Sequence, residues 1–183
     1  MKIFKFGGAS TKDADSVKNV VSVISQTGEK NLVIVVSAMG KTTNALEEVI
    51  KEYFSESGDV KSALRTVYDF HYEILKGLFS STSHPAFIDL DKIFKELKRF
   101  LETNKSKNHA FVYDQVVSFG ELISSKIISA YFSENGINNT WLDVRQCIKT
   151  DASYRDANVD WEKTQERISE KVSKNGITLT QGF

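Results

Sequence analysis

A chain of 183 residues is long enough for one full domain and short for two. It is 40% apolar and 26% charged, as expected of a water-soluble protein with a core, and its single cysteine excludes an internal disulfide framework. Twenty-four Lys and Arg balance 24 Asp and Glu, so no net positive field attracts nucleic acid or an anionic membrane, and no apolar run reaches the ~20 residues of a membrane helix. The opening Met1-Lys2-Ile3-Phe4 has no signal-peptide pattern, and Cys and His do not cluster as structural zinc ligands do. A cytoplasmic, single-domain α/β protein over residues 1–183 is the expectation.

Ile3, Phe4 and Phe6 predict a short strand ended by Gly7-Gly8. Ser10, with Asp13 three residues on, resembles a capping box, and Val17, Val20, Val21 and Ile24 fall on one helical stripe that Thr27-Gly28 stops. Leu32 to Val36 is a continuous, mostly β-branched run, predicting a strand buried on both faces and hence a βαβ unit with parallel strands.

From Asn44 to Asn135 the pattern is helical. Leu46, Val49 and Ile50 mark one helix, and the stripe Val60, Leu64, Val67, Ile74, Leu75 and Leu78 marks a second. Ile93, Phe94, Leu97 and Leu101 mark a third, starting near Asp89 and Asp91 after Pro85. Val116 to Tyr131 lie in a long fourth helix capped by Gly136. A strand over Thr140–Val144, a polar helix over Trp161–Lys174 and a last strand over Ile177–Thr180 complete the pattern. The sum is a parallel-sheet α/β sandwich with a helical excursion in its middle. Because no helix follows the last strand to cover the sheet, the chain is expected to be part of a longer polypeptide.

Three segments can carry chemistry. In Lys5-Phe6-Gly7-Gly8 a strand turns through two glycines, which lets backbone N–H groups approach an anion while Lys5 supplies a point charge; the plain alternative is a solvent-facing lysine beside a turn. Ser37-Ala38-Met39-Gly40-Lys41-Thr42-Thr43-Asn44 sits at the carboxyl end of the second strand, where open α/β sheets bind ligands. It is no P-loop, since Val35 stands where the first glycine is required. Its hydroxyls form either a binding loop or an ordinary N-cap cluster. In Ser118-Phe119-Gly120-Glu121 a mid-helix glycine points to a close approach, and Glu121 is either a ligand for an ammonium group or a solvated helix acid. His71, His84 and His109 are expected at the surface, and Cys147 as a small buried side chain.

Taken together these segments resemble the aspartate kinases of the amino-acid-kinase superfamily. Lys5-Phe6-Gly7-Gly8-Ala9-Ser10 is similar to the opening motif of that family, with Ala9 in place of the usual threonine. The Val35–Asn44 loop, Ser118–Glu121, Trp141-Leu142-Asp143-Val144-Arg145 with Thr150-Asp151, and Thr180-Gln181-Gly182-Phe183 follow in the family's order.

The resemblance implies phosphoryl transfer from ATP, with Mg²⁺ carried by the nucleotide, to the side-chain carboxylate of L-aspartate, the first step toward lysine, threonine and methionine. It implies that Lys5 is the catalytic, phosphate-contacting lysine, and that Phe6, Gly7 and Gly8 line the nucleotide phosphates. Thr43 and Glu121 are implied as aspartate-holding residues, with Ser37 and the Phe183 backbone beside them. The family's α-carboxylate arginine segment, adenine pocket and ACT regulatory domains have no counterpart in these residues. The full-length form is expected to be a homo-oligomer, and residues 1–183 alone are expected to be inactive. A glutamate-type kinase and a non-catalytic binding module are the alternatives.

Overall fold

The computed structural model describes residues 1–182; Phe183, one of the expected substrate-site residues, lies outside them. The chain runs β1 (Lys2–Phe6), α1 (Ala14–Thr27), β2 (Leu32–Val36), α2 (Thr42–Phe54), α3 (Val60–Leu78), α4 (Pro85–Thr103), α5 (His109–Glu134), β3 (Asn139–Leu142), α6 (Trp161–Lys171) and β4 (Ile177–Gln181). The strands form one parallel sheet in the order β1-β2-β4-β3. Parallel pairing requires long crossovers, and the helices supply them. Among the described residues no helix is long and apolar enough to cross a membrane.

Register places Phe6, Val36 and Gln181 side by side, so the loops leaving β1, β2 and β4 emerge at one edge of the sheet. Leu32, Ile34, Val36 and Leu179 are fully buried on one sheet face, with Phe4 and Phe6 packed against that core. Helix α5 is buried along most of its length, as a helix apolar on nearly all sides must be. Trp141 ties β3 to it by donating Nε1–H to Ser125 Oγ at 2.9 Å. The α1 stripe Val17, Val20, Val21 and Ile24 is buried as its spacing predicts, and Gly28 ends the helix at φ 63°.

Several sequence expectations need correction. The N-cap of α1 is Asp13, whose carboxylate accepts from Ser16 N at 2.8 Å, because residues 8–11 close into a 3₁₀ turn that consumes Ser10. Helix α4 starts at Pro85 rather than near Asp89, with His84 as its cap, since proline suits a first helical position. Strand β3 stops at Leu142, where Asp143 caps a second 3₁₀ turn, and α6 ends at Lys171. Strand β2 alternates buried and half-buried residues, because Val33 and Val35 belong to the less covered sheet face. His71 is fully buried, not on the surface. It lies four residues after Val67 and three before Ile74, inside the α3 stripe, and that spacing was the signal for its burial. Cys147 is buried as expected.

Candidate active site

The two glycine-bearing loops interlock at the carboxyl edge of the sheet. Ser37 N donates to Phe6 O and Gly40 N donates to Gly8 O, each at 3.0 Å. A Cβ on Gly8 would lie 2.7 Å from the Ala38 carbonyl oxygen, closer than real contacts allow, so only glycine permits this approach. Gly7, by contrast, has nothing within 4 Å of its missing Cβ, leaving open space beside the turn. Gly40 adopts φ 53°, the left-handed region that favours glycine. Lys5, the penultimate residue of β1, is exposed and pairs in register with Val35 at this edge.

Ser37 and Thr43 are both half-buried, Thr43 in the first turn of α2. Glu121 projects from α5 to the same edge, where Oε2 accepts from Gly182 N at 2.7 Å, just past β4. Glu121 is thus fastened to the sheet rather than a solvated helix acid. Gly120 allows this: its missing Cβ would meet Thr42 Cγ2 at 3.1 Å and both Ala38 Cβ and Leu46 Cδ1 at 3.2 Å. The glycine lets α5 touch the second-strand loop. Adding a methyl group there overpacks the contact by about 1–3 kcal/mol, while alanine recovers about 1 kcal/mol of helix propensity. Gly120→Ala is therefore expected to destabilise residues 1–183 by about 1 kcal/mol net, read from the urea midpoint; an unchanged midpoint would show that the contact yields freely.

The residues after β3 brace this edge. Gln181 Nε2 donates to Asp143 Oδ1 at 2.7 Å, and Arg145 Nη2 donates to Asp143 Oδ2 at 2.6 Å. Burial pushes the Asp143 carboxyl pKa up, but the Arg145 hydrogen bonds and charge, with Gln181, outweigh it and hold the group below its ordinary value. Asp151 accepts from Ser153 N and from Asn158 Nδ2, folding the following loop on itself. These carboxylates act as structural ties. Lys5, Gly7, Gly8, Ser37, Thr43 and Glu121 all lie on elements that converge at this edge. Sequence reasoning missed the Thr42–His71 contact beneath it, in which Thr42 Oγ1 stands 3.3 Å from His71 Nε2.

A sequence model of the Amino acid kinase family matches residues 1–183. The chain belongs to the amino acid kinase family. Within that family it is 28% identical to the aspartokinase of Chlamydia muridarum, covering 99% of this chain and 39% of that protein. It is 26% identical to the chloroplastic bifunctional aspartokinase/homoserine dehydrogenase 1 of Arabidopsis thaliana, covering 99% of this chain and 20% of that protein. The chain thus spans between about a fifth and two fifths of these two relatives. The crystal structure of Escherichia coli aspartokinase III with lysine and aspartate superposes on the whole chain and on 41% of its own, with a TM-score of 0.85 at 22% identity. That enzyme with aspartate and ADP gives a TM-score of 0.84 at 23% identity. Both structures share the fold described here.

Proposed function

We propose that this chain is the N-terminal part of the catalytic domain of an aspartate kinase. In this reading it transfers the terminal phosphoryl group of MgATP to the side-chain carboxylate of L-aspartate. The observation that supports the reading most directly is Glu121, held against Gly182 at the sheet edge where the Gly7-Gly8 and Gly40 loops interlock. Aspartokinases among the relatives, and structures of one holding aspartate and ADP, support the choice of substrates.

The chemistry asks little covalent work of the protein. The acceptor carboxylate is ionised at neutral pH and needs no general base. One of its oxygens forms a bond to the terminal phosphorus as the bond to the leaving ADP oxygen breaks. Positioning and neutralisation of oxygen charge are what the site must provide. Lys5 supplies positive charge, and the open side of Gly7 leaves room for phosphate oxygens near backbone donors. The Ser37 and Thr43 hydroxyls face the acceptor, and Glu121 pairs with its α-ammonium. Magnesium, bound through nucleotide phosphate oxygens, would neutralise further charge.

The reading is tested by Glu121→Gln in the full-length protein. Glutamine keeps an acceptor for Gly182 N, so the sheet-edge tie survives while the negative charge is lost. A charge-assisted contact contributes about 1.5–3 kcal/mol, so the aspartate KM is expected to rise roughly ten- to a hundredfold with the ATP KM little changed. An unchanged aspartate KM, or better turnover of glutamate than of aspartate, would overturn the assignment.

A further inference from the structure

Helix α3 contributes nothing to the proposed chemistry, yet two of its adjacent residues press on the loop that carries it. The Phe70 ring reaches Gly40 with its tip, Cζ standing 3.2 Å from where a Cβ would be. The next residue, His71, is fully buried, with Nδ1 2.8 Å from the Val67 carbonyl and Nε2 3.3 Å from Thr42 Oγ1. A carbonyl only accepts, so Nδ1 carries the proton and donates, leaving Nε2 as an acceptor facing Thr42. The Thr42 hydroxyl has one proton and two acceptors, Met39 O at 2.6 Å and His71 Nε2. Thr42 is the first residue of α2, and its backbone N also donates to Met39 O at 3.0 Å. Thr43, the residue read as holding the acceptor, follows directly.

We propose that His71 is a positioning residue for the acceptor-binding loop, acting through Thr42 while Phe70 holds Gly40 from the same helix. The loop between β2 and α2 is then held both by the Gly40 N–H bond to Gly8 O and by the α3 contacts of Phe70 and His71. Burial supports a fixed neutral ring, since it depresses the His71 pKa to about 4. The consequence for acceptor binding rests on the kinase reading; the clamp itself does not.

Two measurements separate these. In residues 1–183, hydrogen exchange at the Gly40 and Thr42 amides is expected to accelerate at least roughly tenfold in His71→Phe, with Ile34 in β2 unchanged. His71→Gln, which keeps a polar atom near the Nε2 position, should restore most of the protection. In the full-length protein, His71→Phe and Thr42→Val should each raise the aspartate KM about tenfold with the ATP KM nearly constant. The double variant should add little to either single change. Loop exchange that stays at the wild-type rate overturns the clamp. A loosened loop with an unchanged aspartate KM, or equal losses for aspartate and ATP, overturns the positioning role. A wild-type protein without aspartate-dependent turnover would instead sink the kinase reading, and the exchange result would still decide the clamp.

Discussion

On the proposed kinase reading, replacing Lys5 by alanine is expected to lower the turnover number of the full-length protein by two or more orders of magnitude, a cost of about 3 kcal/mol. Lys5 is exposed at the penultimate position of β1, two residues before Gly7, whose missing side chain leaves open space. A cation there interacts most strongly when charge builds on the transferring phosphoryl oxygens. Its loss should therefore appear in kcat more than in either KM. Stability should change by no more than ~0.5 kcal/mol, since an exposed side chain on an edge strand contributes little to packing. A variant that keeps most of its turnover would remove Lys5 from the phosphate site, and one that loses activity only by unfolding would make it structural.

Acidification should destabilise the fold through His71. Its native pKa of about 4 lies below the ordinary histidine value of 6.5, because the buried ring resists charging. Between those values the unfolded chain binds a proton that the native chain does not. The stabilisation is thus fully present above pH 6.5 and is lost as the pH falls from there through about 4. The whole window corresponds to about 3 kcal/mol, of which about 2 kcal/mol falls between pH 6.5 and 5. The carboxylates of Asp13, Asp143, Asp151 and Asp160 are held below their ordinary 3.8, and comparison with a variant that differs only at position 71 cancels their contribution. Urea unfolding of residues 1–183 at pH 7 and pH 5 should show wild type losing about 2 kcal/mol more than His71→Gln, whose side chain does not titrate. Parallel losses in the two proteins would mean that His71 is readily protonated in the native state.

Much of the architecture was legible because local patterns and tertiary burial agree. The period-3.6 stripes of α1 and α2 are buried, that of α3 is buried from Val67 onward with Val60 and Leu64 half-buried, and Gly28 and Gly136 sit at positive φ where the sequence places helix ends. The β-branched run of β2 became a central strand between β1 and β4. The structure departs from the local pattern where a nearby residue can do the same local job. Asp13 rather than Ser10 caps α1, and Pro85 rather than Asp89 opens α4, because capping depends on which backbone N–H groups are left unpaired once neighbouring turns have formed. Residue type alone places His71 at the surface, whereas its position in the α3 stripe buries it.

For the candidate site, the sequence alone singled out the segments that are proposed to carry chemistry. A lysine before paired glycines, a hydroxyl-rich loop after a buried strand and a glycine–glutamate pair in a long helix each carry local chemistry that residue type and spacing display. Only the tertiary structure decided how they meet. Parallel register brings the ends of β1, β2 and β4 to one edge, and the Gly8 and Gly120 contacts seat the loop and α5 against each other. The bond from Gly182 N turns Glu121 from a helix acid into a fixed carboxylate, across a separation of 61 residues. Such contacts join groups far apart in the chain, and their energies depend on burial and geometry that no local pattern encodes.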